Sequence, residues 1–255
     1  MTGDKFVKLV EIMQRLRNEC PWDKEQTHDS IKAATLEETH ELIEAIDDQD
    51  FDEMKGELGD ILLHIVFHSQ MASETKKFTI DDVIDGITEK LIRRHPHVFT
   101  DTKVKDNNEI LYNWEKIKLE EGRDSVLDGV PKALPQLHRA FRIQEKASKV
   151  GFDWDKKEKV WEKVKEEIQE FEEVSHGSEI PRIEEELGDL LFSIVNYARF
   201  IGINPENALR VTNEKFIRRF KYIEGRLAET NKKITDSNLE EMDRLWEESK
   251  KVLKS

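Results

Sequence analysis

Two copies of one acidic pattern constrain this chain more than any other feature. The first runs Glu37-Glu38-Thr39-His40-Glu41 and then Glu57-Leu58-Gly59-Asp60. The second runs Glu166-Glu167-Ile168-Gln169-Glu170 and then Glu186-Leu187-Gly188-Asp189. The step from third Glu to fourth is the same in both, 57−41 = 16 and 186−170 = 16. Residues three and four apart share a helix face. Each copy therefore offers two carboxylates on one helix and two on the next, and antiparallel neighbours would bring four together. Like charges at roughly 4 Å repel by about 4 kcal/mol at an effective dielectric near 20. A hard divalent cation, Mg²⁺, Mn²⁺ or Ca²⁺, relieves that repulsion. Asp and Glu supply 55 of the 255 residues, so a solvated acidic face is the competing reading. Duplication at fixed spacing favours the metal site.

The pattern dictates an all-α chain of two tandem helical-bundle domains, 1–125 and 126–255, arising from an internal duplication. Apolar residues recur at helical spacing in every long segment, as in Met54, Leu58, Ile61, Leu62, Ile65 and Val66. No stretch reads as a strand. Thr27 or Asp29, Asp50 or Phe51, Thr79, Asn204 and Ser237 or Asn238 stand where helices open. Cys20-Pro21-Trp22-Asp23 and Gly151-Phe152-Asp153-Trp154 break corresponding helices. Asp128-Gly129-Val130-Pro131 and Pro135 suit a linker.

Charge and composition exclude several classes. The formal charge is −14, the wrong sign for general nucleic-acid binding and a suitable one for a cation site. Cys20 is the single cysteine, which precludes an intrachain disulfide and fits a reducing compartment. The longest apolar runs are too short to span a bilayer, and the N-terminus lacks a signal pattern. The expectation is a cytoplasmic protein.

The repeat extends past the carboxylates. Lys90, Arg93 and Arg94 answer Lys215, Arg218 and Arg219, and Trp114 answers Trp246. Each basic trio sits at i, i+3 and i+4, so three cations share a face. In an acidic protein, that arrangement suits an anion such as phosphate. A metal on carboxylates, a cationic trio and an aromatic make a coherent polyphosphate site, with the Trp stacking on a base or lining its pocket. Phosphoryl or nucleotidyl transfer to water relies on positioning and charge stabilisation. Glu166 or Glu170 could take the proton from attacking water.

These residues resemble the MazG family of nucleoside triphosphate pyrophosphohydrolases, within the all-α NTP-pyrophosphatase superfamily. The resemblance rests on the paired acidic pattern and on three further runs. They are Cys20-Pro21-Trp22-Asp23-Lys24-Glu25-Gln26, Arg93-Arg94-His95-Pro96-His97-Val98-Phe99 and Val150-Gly151-Phe152-Asp153-Trp154. It implies Mg²⁺-dependent hydrolysis of NTPs and dNTPs to monophosphate and pyrophosphate by a homodimer, in nucleotide-pool housecleaning. It implies that the C-terminal half carries the activity. The metal ligands would be Glu167, Glu170, Glu186 and Asp189, with Lys163, Lys215, Arg218, Arg219, Trp246 and also Arg182 on the nucleotide. Glu166, Glu167, Glu170 and Lys163 form the expected catalytic group. In the first half, Glu38, Glu41, Glu57 and Asp60 would be the ligands, with Glu37, Lys90, Arg93, Arg94 and Trp114 as weaker counterparts.

The halves differ beside the carboxylates. With the offset 166−37 = 129, Lys163 falls on Ala34 and Arg182 on Glu53. The first site is thus expected to bind metal but to handle a triphosphate poorly. A di-iron carboxylate bundle needs Glu-x-x-His twice. Glu37 and His40 supply one copy, and Gln169 breaks the second. His28-Asp29 is too short a match to HD-type phosphohydrolases to carry weight. His64, His68, His95 and His97 read as core or loop residues. A non-catalytic helical partner-binding protein is the rival from a different class, but it leaves the repeated basic trios unexplained.

Overall fold

The computed structural model describes residues 1–122 and 124–253. Residues 254 and 255, the end of the second expected domain, lie outside the described residues. The chain is all-α, with no strand among the described residues. Cα packing divides it into two compact units, Met1–Lys103 and Val104–Ser255. The division lies upstream of the 125/126 boundary read from the sequence.

The N-terminal unit holds α1 (Thr2–Glu19), α2 (Pro21–Glu25), α3 (His28–Asp48), α4 (Phe51–Glu74), α5 (Ile80–Arg94) and α6 (Pro96–Phe99). Thr27 caps α3, its side chain accepting from the Ser30 amide at 3.1 Å. Asp50 caps α4 by accepting from the Asp52 and Glu53 amides, both at 3.0 Å. Between the helices only Gln49 and Asp50 turn the chain, Gln49 in the left-handed region at φ 56°. So short a connection makes α3 and α4 an antiparallel hairpin. Helix α1 packs on α4 around Met13, Ile31, Val66, Phe67 and Met71.

Pro21 opens α2, whose missing amide hydrogen costs nothing at a first helical position. The break expected there is a short helix of its own. Arg17 of α1 suspends it, donating to the carbonyls of Asp23 and Gln26. The same guanidinium forks onto Glu74 of α4 at 2.9 and 2.6 Å.

The C-terminal unit holds α7 (Asn107–Glu120), α8 (Gln136–Lys149), α9 (Lys157–Ser175), α10 (Ile180–Phe200), α11 (Pro205–Glu229) and α12 (Leu239–Val252). A 3-10 turn, Ile234–Asp236, precedes the last helix. Asn204 and Asn238 cap α11 and α12 from the Asn207 and Glu241 amides. Helices α9 and α10 form the second hairpin, α8 lies against α10, and α11 pairs with α12 over Ile223, Leu227 and Leu245. Helix α7 packs on α8, which draws residues 104–125 into this unit. No helix among the described residues is long and apolar enough to cross a membrane.

Candidate active site

Each hairpin gathers three carboxylates. Glu38 and Glu41 of α3 meet Glu57 of α4, with one ligand oxygen from each within 4.8 Å of the others. Glu167 of α9 meets Glu186 and Asp189 of α10 within the same limit. The helical spacing read from the sequence accounts for this, since 38 and 41 share a face, as do 186 and 189. Each copy omits a different member of the expected four. Asp60 is exposed and stands outside the first group, and Glu170 is exposed and stands outside the second. Under the offset of 129, Asp60 corresponds to Asp189 and Glu170 to Glu41. The two copies overlaid therefore populate all four positions.

The groups also carry the electrostatic signs of a cation site. Glu57 is only 8 % exposed, and its Oε2 is buried without a hydrogen-bond partner. Burial, then the charges of Glu41 and Glu38, raises its pKa above the ordinary glutamate value. Partial desolvation, then the charge of the neighbouring Glu167, raises Glu170 as well, although its side chain is exposed. An unpartnered buried carboxylate oxygen is costly. With the two carboxylates beside it, Glu57 forms a hard-oxygen donor set that suits a small divalent ion.

Lys163 distinguishes the C-terminal group. Its Nζ lies 2.6 Å from Glu166 and 2.8 Å from Glu167, which is itself only 6 % exposed. Hydrogen bonds that Lys163 donates to Glu166 and Glu167 raise the lysine pKa, so it stays protonated. The N-terminal group has Ala34 at that position and an exposed Glu53 where α10 has Arg182. The charge of Glu53 adds to the pressure on Glu57. Arg182 is exposed in the first turn of α10, on the side of Glu186 and Asp189.

The basic trio lies on another helix of the C-terminal unit. Lys215, Arg218 and Arg219 are on α11, with Arg219 over the Trp246 ring of α12 at 5.7 Å. Trp246 is half-buried on the Ile223–Leu227–Leu245 cluster, with Phe216 tilted against it at 5.1 Å. Among the described residues no ion pair joins this trio to the carboxylates of α9 and α10. Lys90, Arg93 and Arg94 occupy the last turns of α5, which packs on α4. Trp114 lies on α7, hence in the C-terminal unit, with Lys118 over its ring at 5.2 Å. Glu37 is exposed on α3.

Some polar groups escaped the sequence reading. Gln144 of α8 is 7 % exposed and donates from Nε2 to the Phe192 carbonyl of α10 at 2.8 Å. Its Oε1 is buried and without a partner. Arg199 forks onto Asp153 at 2.9 and 2.5 Å and also binds Asn196 Oδ1. The only sequence signal was the Val150–Trp154 run, which resembles the family without indicating a role. In the N-terminal unit, His28 and His68 pair through Nδ1 atoms 2.7 Å apart.

The family described as the MazG nucleotide pyrophosphohydrolase domain matches residues 26–99 and 156–223. Each segment contains one acidic hairpin. The chain is 46 % identical over 253 residues to the nucleoside triphosphate pyrophosphohydrolase of Escherichia coli K12, covering 96 % of both chains. It is also 46 % identical over 253 residues to the nucleoside triphosphate pyrophosphohydrolase/pyrophosphatase MazG of Thermotoga maritima, covering 97 % of this chain and 96 % of that one. A nucleoside triphosphate pyrophosphohydrolase of Mycobacterium tuberculosis is 39 % identical over 152 residues, 58 % of this chain and 46 % of its own length.

Proposed function

We propose a function from this premise: the chain belongs to the MazG nucleotide pyrophosphohydrolase family. It is an enzyme that hydrolyses nucleoside triphosphates, and its products are the monophosphate and pyrophosphate, from NTPs and dNTPs. The observation that carries this reading is the convergence of Glu167, Glu186 and Asp189 from two helices, with Lys163 bound to Glu167.

Glu167, Glu186 and Asp189 would hold Mg²⁺, or Mn²⁺ in its place, with Glu170 as the fourth ligand, the position that Glu41 fills in the first group. When bound, the ion would supply positive charge to offset charge building on the phosphate oxygens. Lys163 stays cationic between Glu166 and Glu167 and faces the developing negative charge. Glu166 is exposed and is not needed as a ligand, so it accepts the proton of the water attacking the α-phosphorus. Lys163 fixes its position. Arg182, Lys215, Arg218 and Arg219 neutralise the remaining phosphate oxygens, and Trp246 braces Arg219. The second half does most of the work, because the first lacks cations at 34 and 53.

The working form is a homodimer acting on the cytoplasmic nucleotide pool. Leu58, Leu62 and Ile65 of α4 correspond by the 129 offset to Leu187, Leu191 and Ile194 of α10. All six keep 38–50 % of their surface exposed. Helix hairpins with such stripes are completed by pairing with another. Incubation with each NTP and Mg²⁺, followed by separation of products, tests the reaction. Monophosphate with pyrophosphate is expected, and diphosphate with orthophosphate rejects it.

A further inference from the structure

Histidines gather at the end of the α3–α4 hairpin that lies away from its carboxylates. His64 and His68 follow Glu57 at steps of seven and four, on one face of α4. His68 stands about 16.5 Å beyond Glu57 along the helix, at 1.5 Å per residue. The antiparallel course of α3 brings its first residue, His28, to the same place. The Nδ1 atoms of His28 and His68 are 2.7 Å apart. Nitrogens that close cannot both carry a hydrogen, so at least one presents its lone pair. Read from the sequence, His64 and His68 are core or loop residues, and a partner 40 positions upstream gives His68 another use.

His64 adds a third imidazole. It precedes His68 by about one helical turn, the spacing at which one helix offers two rings to one ion. Its Nδ1 is buried and has no hydrogen-bond partner. A buried polar atom left in that state is costly, and a bound cation removes the cost. Burial, then the neighbouring His28 and His64, lowers the His68 pKa, which keeps that ring neutral and able to ligate at neutral pH. A cavity of about 440 Å³ opens beside His28 and His68, with Asp29, Lys32, Thr35 and Thr39 of α3 on its wall, so water reaches an ion held there. Asp29 and Lys32 pair with each other at 3.1 Å, which leaves no net charge on that wall to oppose a cation.

Imidazole nitrogen is a borderline ligand that suits Zn²⁺, Ni²⁺ and Cu²⁺, while Mg²⁺ keeps to oxygen. We propose that His28, His64 and His68 form a site for a borderline divalent ion of the Zn²⁺ class in the N-terminal unit, separate from the carboxylate group of the same hairpin. Three protein ligands and a water complete a tetrahedral shell. With bonds of about 2.0–2.1 Å, two nitrogens on such an ion stand about 3.3 Å apart, so the His28–His68 pair parts by about 0.6 Å and tilts to receive it. Exposed His28 supplies that movement, and His64 turns about its side-chain bonds to join. The hydrogen on one Nδ1 passes through water to Nε2 of the same ring, so no net proton is lost. Gln49 and Asp50 close one end of the hairpin, and the ion clips the other. By the 129 offset the C-terminal hairpin has Lys157, Ser193 and Tyr197 at these positions, so the site belongs to the first half alone.

The test titrates the full chain with Zn²⁺ in excess Mg²⁺, which competes for the carboxylates of both hairpins, and reads the imidazoles by nitrogen NMR. Zn²⁺ should move the Nδ1 resonances of His28 and His68 and a ring nitrogen of His64, and leave those of His40, His95, His97, His138 and His176 in place. Calorimetry of the same titration should show a binding event that weakens at least about tenfold in His28→Phe and in His64→Leu, since loss of an outer-shell partner alone costs that much. Nδ1 signals of His28 and His68 that stay in place in the wild-type protein overturn the site, whether or not the variants fold. So does a Zn²⁺ event of unchanged strength in both variants, which assigns the ion to the carboxylates.

Discussion

Lys163 Nζ lies 2.8 Å from Glu167, a carboxylate that is 94 % buried, while the matching position beside Glu38 is occupied by Ala34. This contact is the main chemical difference between two otherwise parallel acidic hairpins. It bears directly on where hydrolysis occurs.

Lys163→Met keeps the side-chain length and removes the cation. Pyrophosphate release should fall about a hundredfold, in kcat more than in KM, because the charge faces phosphate oxygens as they become more negative. Circular dichroism should show the helices intact. A variant with full activity would remove Lys163 from the site.

Asp60→Ala and Asp189→Ala probe the duplicated position in each half. Asp189→Ala should reduce pyrophosphate release by at least about a hundredfold, since it takes away a ligand oxygen from the convergent group. Asp60→Ala should retain most of the activity, its carboxylate being exposed and outside the first group. The reverse result would assign catalysis to the N-terminal unit.

Mg²⁺ titration by thermal melting reads the site without turnover. Ligand at a hundred times its dissociation constant stabilises by about 2.7 kcal/mol. That corresponds to about 5–10 °C for a unit of this size. A non-hydrolysable triphosphate should add a further rise. A purely structural helical protein would respond to neither.

His28 and His68 make the N-terminal unit sensitive to acid. Their nitrogens are 2.7 Å apart, with ring centroids at 5.0 Å and planes within 2°. Nitrogens that close leave the centroids so far apart only when the rings meet edge to edge. The contact is therefore an in-plane hydrogen bond, and it requires one bare Nδ1. Burial first, then the charges of His28 and His64, lowers the His68 pKa below the ordinary histidine value. Between those two values the unfolded chain binds more protons, so stability rises with pH across that window and is lost as pH falls through it. Melting of wild type against His68→Phe from pH 5 to pH 8 should show a steeper pH dependence in wild type. Parallel curves would leave the pair without a titrating role.

Much of this molecule was legible because its signals are local. Thr27, Asp50, Thr79, Asn204 and Asn238 cap the helices they precede, a matter of one side chain and one nearby amide. The convergence of Glu38 with Glu57, and of Glu167 with Glu186, followed from helical spacing plus a short connection or a repeated step. What escaped depends on partners distant in sequence. Gln144 reads as one more polar residue on an amphipathic helix until Phe192, 48 positions away, occupies its NH₂ group. Short α2 was hidden in the same way, since Arg17 ties it to α1 and Glu74 at once. Trp114 was expected with the first half, and the packing of α7 on α8 places it with the second.

The alanine at 34 turns the protein into its own matched control. One polypeptide displays the same acidic cradle twice, once with an ammonium group beside it and once with a methyl group. Installing the missing amine through Ala34→Lys asks whether an acidic cradle becomes a working one by a single addition, against a sister site measured in the same tube.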